Sequence, residues 1–185
     1  MTVSEDVLNK RLATDLDGAF PDLVTEMQGL VFNGALRWVP SRQDAEDIAQ
    51  EVFVKAYNAL QGYPRQRVKE LRLRPWLFTI TLNLCRNHAR TRSRRPNQVV
   101  LGDVDPSASE VTEASAIELV NVDEWRVRLG QLVAKQRDAI VLRHVVGMTY
   151  DDIGEVLDRP AGTVKSDVHR GLEQLRSMIT TEVLR

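Results

Sequence analysis

One cysteine, 5% aromatic residues, three histidines and no long apolar run narrow the possibilities before any motif is read. A lone Cys85 excludes an intramolecular disulfide and any cysteine-based zinc site, and it fits a reducing compartment. His88, His144 and His169 share no metal-ligand spacing, so no metal is expected, and His144, inside an apolar run, reads as packed. No stretch approaches the ~20 apolar residues of a membrane-spanning helix. The N-terminus has no basic-then-apolar leader pattern, so the expectation is a cytoplasmic protein without membrane insertion. Phosphate loop, His-Glu-x-x-His and nucleophile elbow are all missing, which predicts neither an enzyme nor a cofactor. What is present is 185 residues, 43% hydrophobic and rich in good helix formers. They predict an all-α protein with one sizeable core or two small ones.

The net charge of −1 conceals segregation. Residues 1–63 carry 5 basic and 10 acidic side chains, residues 64–96 carry 10 and 1, residues 97–123 none and 6, and residues 124–185 10 and 9. A compact basic block between acidic segments predicts a nucleic-acid contact zone beside a surface for a basic partner.

Two helical regions are expected, over residues 17–96 and 122–184. Residues 97–121 have the Gly, Pro, Ser and acid content of a mobile linker. In the first region Ala45, Ile48, Val52, Phe53, Ala56 and Leu60 recur at helical spacing, with Ser41 as a cap, and leave Asp47, Gln50, Glu51 and Lys55 mainly off that face. After a basic loop, Pro75 is expected to start a helix that begins aromatic and ends arginine-rich before Pro96 stops it. Trp76 and Phe78 fit either the core or a surface for unstacked bases.

The most specific stretch is Met148 to Arg170. Thr149 can cap a short helix, Ile153 and Leu157 share its face, Gly154 admits a close neighbour, and Asp158-Arg159-Pro160 breaks it. A second helix then buries Val164, Val168, Leu172, Leu175 and Ile179, and exposes Thr163, Lys165, Ser166, His169 and Arg170. That is a helix-turn-helix with a polar, basic face suited to a major groove.

Three blocks in this order resemble the two-domain extracytoplasmic-function (ECF) type of bacterial RNA polymerase sigma factor. Asp44 to Phe53 resembles the family's polymerase-binding helix. Arg74 to Leu84 resembles its promoter-melting and −10 segment. Gln136-Arg137, with Gly147 to Arg170, resembles its −35-reading region, including Gly162-Thr163-Val164-Lys165-Ser166 and His169-Arg170. Leu73, Pro75, Asn87, Ala134 and Asp167 depart from the usual pattern. Asp167 stands where a basic residue is frequent, and on the reading face its carboxylate would repel phosphate and accept from cytosine.

The resemblance implies two small helical domains that recruit RNA polymerase core to promoter DNA and help open it. It implies polymerase contacts at Asp47, Gln50 and Glu51, and −10 DNA contacts at Arg72, Arg74, Trp76, Asn83, Arg86, Arg90 and Arg94. It places −35 contacts at Thr163, Lys165, Ser166, His169 and Arg170. An anti-sigma factor is allowed as a further partner, since many relatives are held inactive by one. The residues also fit a stand-alone helix-turn-helix regulator with an N-terminal interaction domain; the block from Asp44 to Asn83 argues against it.

Overall fold

The structure is a computed structural model that describes residues 5–93 and 124–183, with side chains as far as residue 179. The expected linker at 97–121 and the expected DNA contact Arg94 lie outside the described residues. Among the described residues all regular structure is helical, as the scarcity of aromatics and the helix formers predicted.

The first helical body comprises α1 (Glu5–Thr14), α2 (Leu16–Ala35), α3 (Arg42–Gly62), α4 (Arg65–Lys69) and α5 (Leu73–Ser93). Residues 5–14 precede the range read from the sequence, yet α1 packs on α2 and α4. It buries Leu8, Leu12 and Ala13, and its buried Asn9 donates to the Leu71 carbonyl at 2.7 Å. Glu5 accepts from the Leu73 amide at 2.7 Å, satisfying an orphan donor at the start of α5. The expected basic loop before α5 contains the single turn α4, and α5 begins two residues ahead of Pro75. Proline remains tolerable there because first-turn amides have no intrahelical acceptor.

Helices α2, α3 and α5 pack on one another around Leu23, Val31, Val52, Leu77, Phe78 and Leu82. Gly34 sets the approach of α2 to α5, for a Cβ there would sit 2.7 Å from Phe78 Cε1. Cys85 is a buried core residue, and burial, aided by the Asp138 carboxylate, pushes its thiol up to about 12.

The second body comprises α6 (124–130), α7 (Ala134–Ile140), α8 (Tyr150–Leu157) and α9 (Ala161–Val183). Helix α7 widens into a π turn, Val141–Val145, where the Val146 amide reaches back to the Val141 carbonyl. Gly147, at φ +78°, then reverses the chain. Helices α7 and α9 meet closely at Gly171, where a Cβ would lie 2.5 Å from Ile140 Cδ1. His144, expected to be packed, is exposed: the π turn carries Val141 and Leu142 inward and leaves the imidazole outside.

The two bodies touch. Helix α5 packs on α8 and α2 on the π turn. Arg86 Nη2 donates to Asp138 Oδ2 at 2.9 Å, and the Arg72 guanidinium pairs with both Asp152 and Glu155.

Candidate protein and nucleic-acid interfaces

Helix α3 is held at its start by Ser41, whose hydroxyl accepts from the Asp44 amide at 3.0 Å. With Ala45, Ile48, Val52 and Ala56 buried, helical geometry turns Asp47, Gln50 and Glu51 outward, and all three are exposed. Asp47 and Glu51 form one wall of an open groove of about 690 Å³ between α3 and α5; Trp76 and Asn83 stand on the other. Glu51 also reaches Lys55 at 3.3 Å.

Asn83 is exposed, while Trp76 is half-buried and tilted against the Tyr63 ring at 6.1 Å. The two aromatics left open by the sequence therefore part ways. Phe78 is fully buried, edge-on to Trp38 at 6.4 Å, whereas Trp76 keeps a face on the groove. Arg74 is half-buried and Arg90 exposed. Arg72 and Arg86 pair with carboxylates of the second body, so these two of the expected −10 contacts are already engaged.

The helix-turn-helix forms as its residues dictate. Thr149 accepts from the Asp152 amide at 3.1 Å while the Asp152 carboxylate accepts from the Thr149 amide at 3.1 Å, a reciprocal capping box. Asp158 ends α8 at φ 52°, and the Arg159 carbonyl lies 2.7 Å from where a Gly154 Cβ would be. Arg143 braces the entry by donating to the Met148 carbonyl at 2.6 Å and lying over the Tyr150 ring. On α9, Thr163, Lys165, Ser166, His169 and Arg170 are all exposed. The Ser166 hydroxyl donates to the Gly162 carbonyl at 3.0 Å, and His169 lies 3.5 Å from Glu173.

Asp167 is corrected by the structure. It is 1% exposed and forms an ion pair with Arg159 at 2.5 Å, so its carboxylate ties α9 to the turn instead of facing DNA. Asp167→Ala is expected to cost about 1–3 kcal/mol of stability in the second body by leaving Arg159 uncompensated, discounted for that residue's partial exposure. Chemical denaturation measures the loss, and an unchanged midpoint would remove the bracing role.

Two family models match the chain, Sigma-70 region 2 over residues 23–95 and Sigma-70 region 4 over residues 123–175. The ECF RNA polymerase sigma-E factor of Haemophilus influenzae is 30% identical over 191 aligned positions that cover 96% of each chain. The chain belongs to the ECF sigma factors. The RNA polymerase sigma-H factor of Pseudomonas aeruginosa is 32% identical over 85% of this chain and 84% of its own length. Among solved structures, CnrH in complex with the cytosolic domain of CnrY shares the fold at a TM-score of 0.73 and 24% identity. That match covers 97% of this chain and 99% of CnrH.

This ECF sigma factor therefore acts in promoter-specific transcription initiation with RNA polymerase core, and the stand-alone regulator reading falls away. Among the described residues no helix is long and apolar enough to cross a membrane. Sequence reasoning missed His88, which reaches Asp44 Oδ1 at 3.1 Å and closes one end of the α3–α5 groove. Nothing in a linear pattern signals a pairing between two helices 44 residues apart.

Proposed function

We propose that residues 17–96, joined by α1, are the unit that binds core polymerase and opens the −10 element. In this reading 97–121 is the linker and 122–184 reads the −35 element. The exposed face of α9 carries the reading: five polar or basic side chains at the start of a helix held by a capped, proline-broken turn. Lys165 and Arg170 contact phosphates and base edges there, with Thr163, Ser166 and His169 around them.

Asp47, Gln50 and Glu51 meet a basic surface of core polymerase, where complementary charge favours encounter and register. Across the groove, Trp76 and Asn83 receive an unstacked −10 base, and Arg74, Arg90 and Arg94 hold its backbone. Extruding a base costs a few kcal/mol, which stacking and hydrogen bonding offset.

Arg72 and Arg86 join these contacts only after leaving Asp152, Glu155 and Asp138, so the two bodies separate on the polymerase. The chain serves as a binding factor without catalytic chemistry, in the cytoplasm and on the nucleoid when polymerase-bound. CnrH is seen with CnrY, and the similarly folded RpoE of Bartonella quintana with the anti-sigma factor NepR. We infer an anti-sigma partner of this kind here.

The test is run-off transcription with purified core on a promoter library, comparing wild type with Lys165→Ala and Arg170→Ala. Loss of a base contact relaxes preference at one −35 position by about 1–3 kcal/mol, whereas loss of a phosphate contact weakens every sequence alike. Normal use of all −35 variants by both mutants would show that the reading face lies elsewhere.

A further inference from the structure

Helix α1 lies ahead of the residues that match Sigma-70 region 2, and neither the polymerase-binding face nor the −10 contacts use any of its side chains. Its packing nevertheless singles out one place. It lies on α2 and on α4, the single turn that carries Arg65, Arg67 and Lys69. So short a helix is not stable alone in water, so α4 is held in place by what packs on it. Leu8 and Leu12 of α1 are buried, as is Val68 of α4.

Two side chains of α1 then hold the backbone that follows. Asn9, 3% exposed, donates to the Lys69 carbonyl at 3.3 Å and to the Leu71 carbonyl at 2.7 Å. Glu5 accepts from the Leu73 amide at 2.7 Å. Residues 69, 71 and 73 are thus tied to one helix that lies 60 to 68 positions away in the sequence. Asn9 does this at a cost, for its amide oxygen is buried without a hydrogen-bond partner. An apolar side chain would avoid that cost but leave the two carbonyls without this donor. What Asn9 supplies is therefore the backbone of the α4–α5 connection.

The side chains that leave this connection are those read as −10 contacts. Arg72 and Arg74 flank Leu73, and Trp76 follows in the first turn of α5. Arg67 lies 3.7 Å over the Tyr63 ring, which in turn stands 6.1 Å from Trp76, so the position of α4 also sets the surroundings of Trp76. A cavity of about 480 Å³ opens here, with Arg67, Leu71, Arg72 and Trp76 among its walls and no residue of α1. Helix α1 acts on this surface only through the connection behind it.

We propose, on the reading of Arg72, Arg74 and Trp76 as −10 contacts, that α1 positions the −10 surface and that Asn9 and Glu5 set its selectivity for bases. A guanidinium or an indole distinguishes bases only when held to about half an ångström, and on a short connection its backbone must be held as well. Released from Asn9 and Glu5, the connection samples more arrangements. Phosphate contacts tolerate this, because they carry no sequence information, whereas base contacts weaken.

The experiment measures open-complex formation by holoenzyme assembled from core and the full chain, on two promoter sets substituted singly in the −10 or the −35 element. Asn9→Ala and Glu5→Ala are each expected to flatten preference within the −10 set by about fivefold. Preference within the −35 set and affinity for core polymerase are expected to match the wild type. Glu5→Gln, which keeps an acceptor for the Leu73 amide, is expected to restore the wild-type preference. A merely structural role would reduce the active protein, lowering all promoters alike and leaving both preferences intact. That result overturns the positioning role, as does a Glu5→Gln variant as impaired as Glu5→Ala. Should Asn9→Ala misfold, Glu5→Ala, whose side chain is exposed, and Glu5→Gln decide the matter. Trp76→Ala runs beside them as the control for the −10 surface itself. A flattened −10 preference in Trp76→Ala, with a normal one in the α1 variants, overturns the positioning role alone. A normal −10 preference in every variant overturns the −10 surface and the positioning role together.

Discussion

Phe78→Ala is expected to destabilise the first helical body by about 3–5 kcal/mol, enough to leave a small domain marginal or unfolded. The ring is fully buried where α2 and α5 approach, against Trp38 and over Gly34. Rigid helix backbones around it cannot collapse into the space, so the lost transfer energy is joined by that of the remaining cavity. Trp76→Ala should behave differently although it lies two residues away. Its ring is half-buried and faces the groove, so the stability loss is about 1–2 kcal/mol. The larger effect falls on promoter opening. Urea unfolding followed by circular dichroism, with permanganate reactivity of promoter thymines, separates the two. Equal stability losses, with opening unimpaired in Trp76→Ala, would return both aromatics to the core.

Asp47→Lys combined with Glu51→Lys is expected to weaken binding to core polymerase at least tenfold, about 1.4 kcal/mol or more. Both side chains are exposed on one wall of the groove, and in the proposed interface reversing them turns attraction for a basic surface into repulsion. Neither residue belongs to the buried face of α3, so helicity should be unchanged. The affinity of the wild type should fall with salt, and that of the reversed protein should fall less. A reversed protein that binds core normally, with the same salt slope, would move the polymerase contact off α3.

The α8–α9 unit was legible in the sequence because everything that forms it is local. The capping box spans four residues, the stop at Asp158 follows from the proline two positions on, and the exposed set on α9 follows from helical period. Asp167 escaped for a physical reason. Its position fits the rim of the polar face, and only the Arg159 side chain, folded back across the turn, draws it inward. Helix α1 escaped because much of its polar surface is useful. Glu5 and Asn9 look like solvent-facing residues until the amide of Leu73 and the carbonyl of Leu71 arrive beside them.

By itself the sequence determined an all-helical chain, the buried face of α3, the helix-turn-helix and the family, since periodicity, caps and breakers act over a few residues. Tertiary structure alone decided which aromatic is core, where Asp167 turns, and what the arginines face. Arg72 meets Glu155 across 83 positions and Arg86 meets Asp138 across 52. The seam between the two bodies brings together residues from four separate segments. A guanidinium on a long, flexible stem takes whatever acceptor the packed neighbours bring within reach, and that choice is made by packing, which no local pattern encodes.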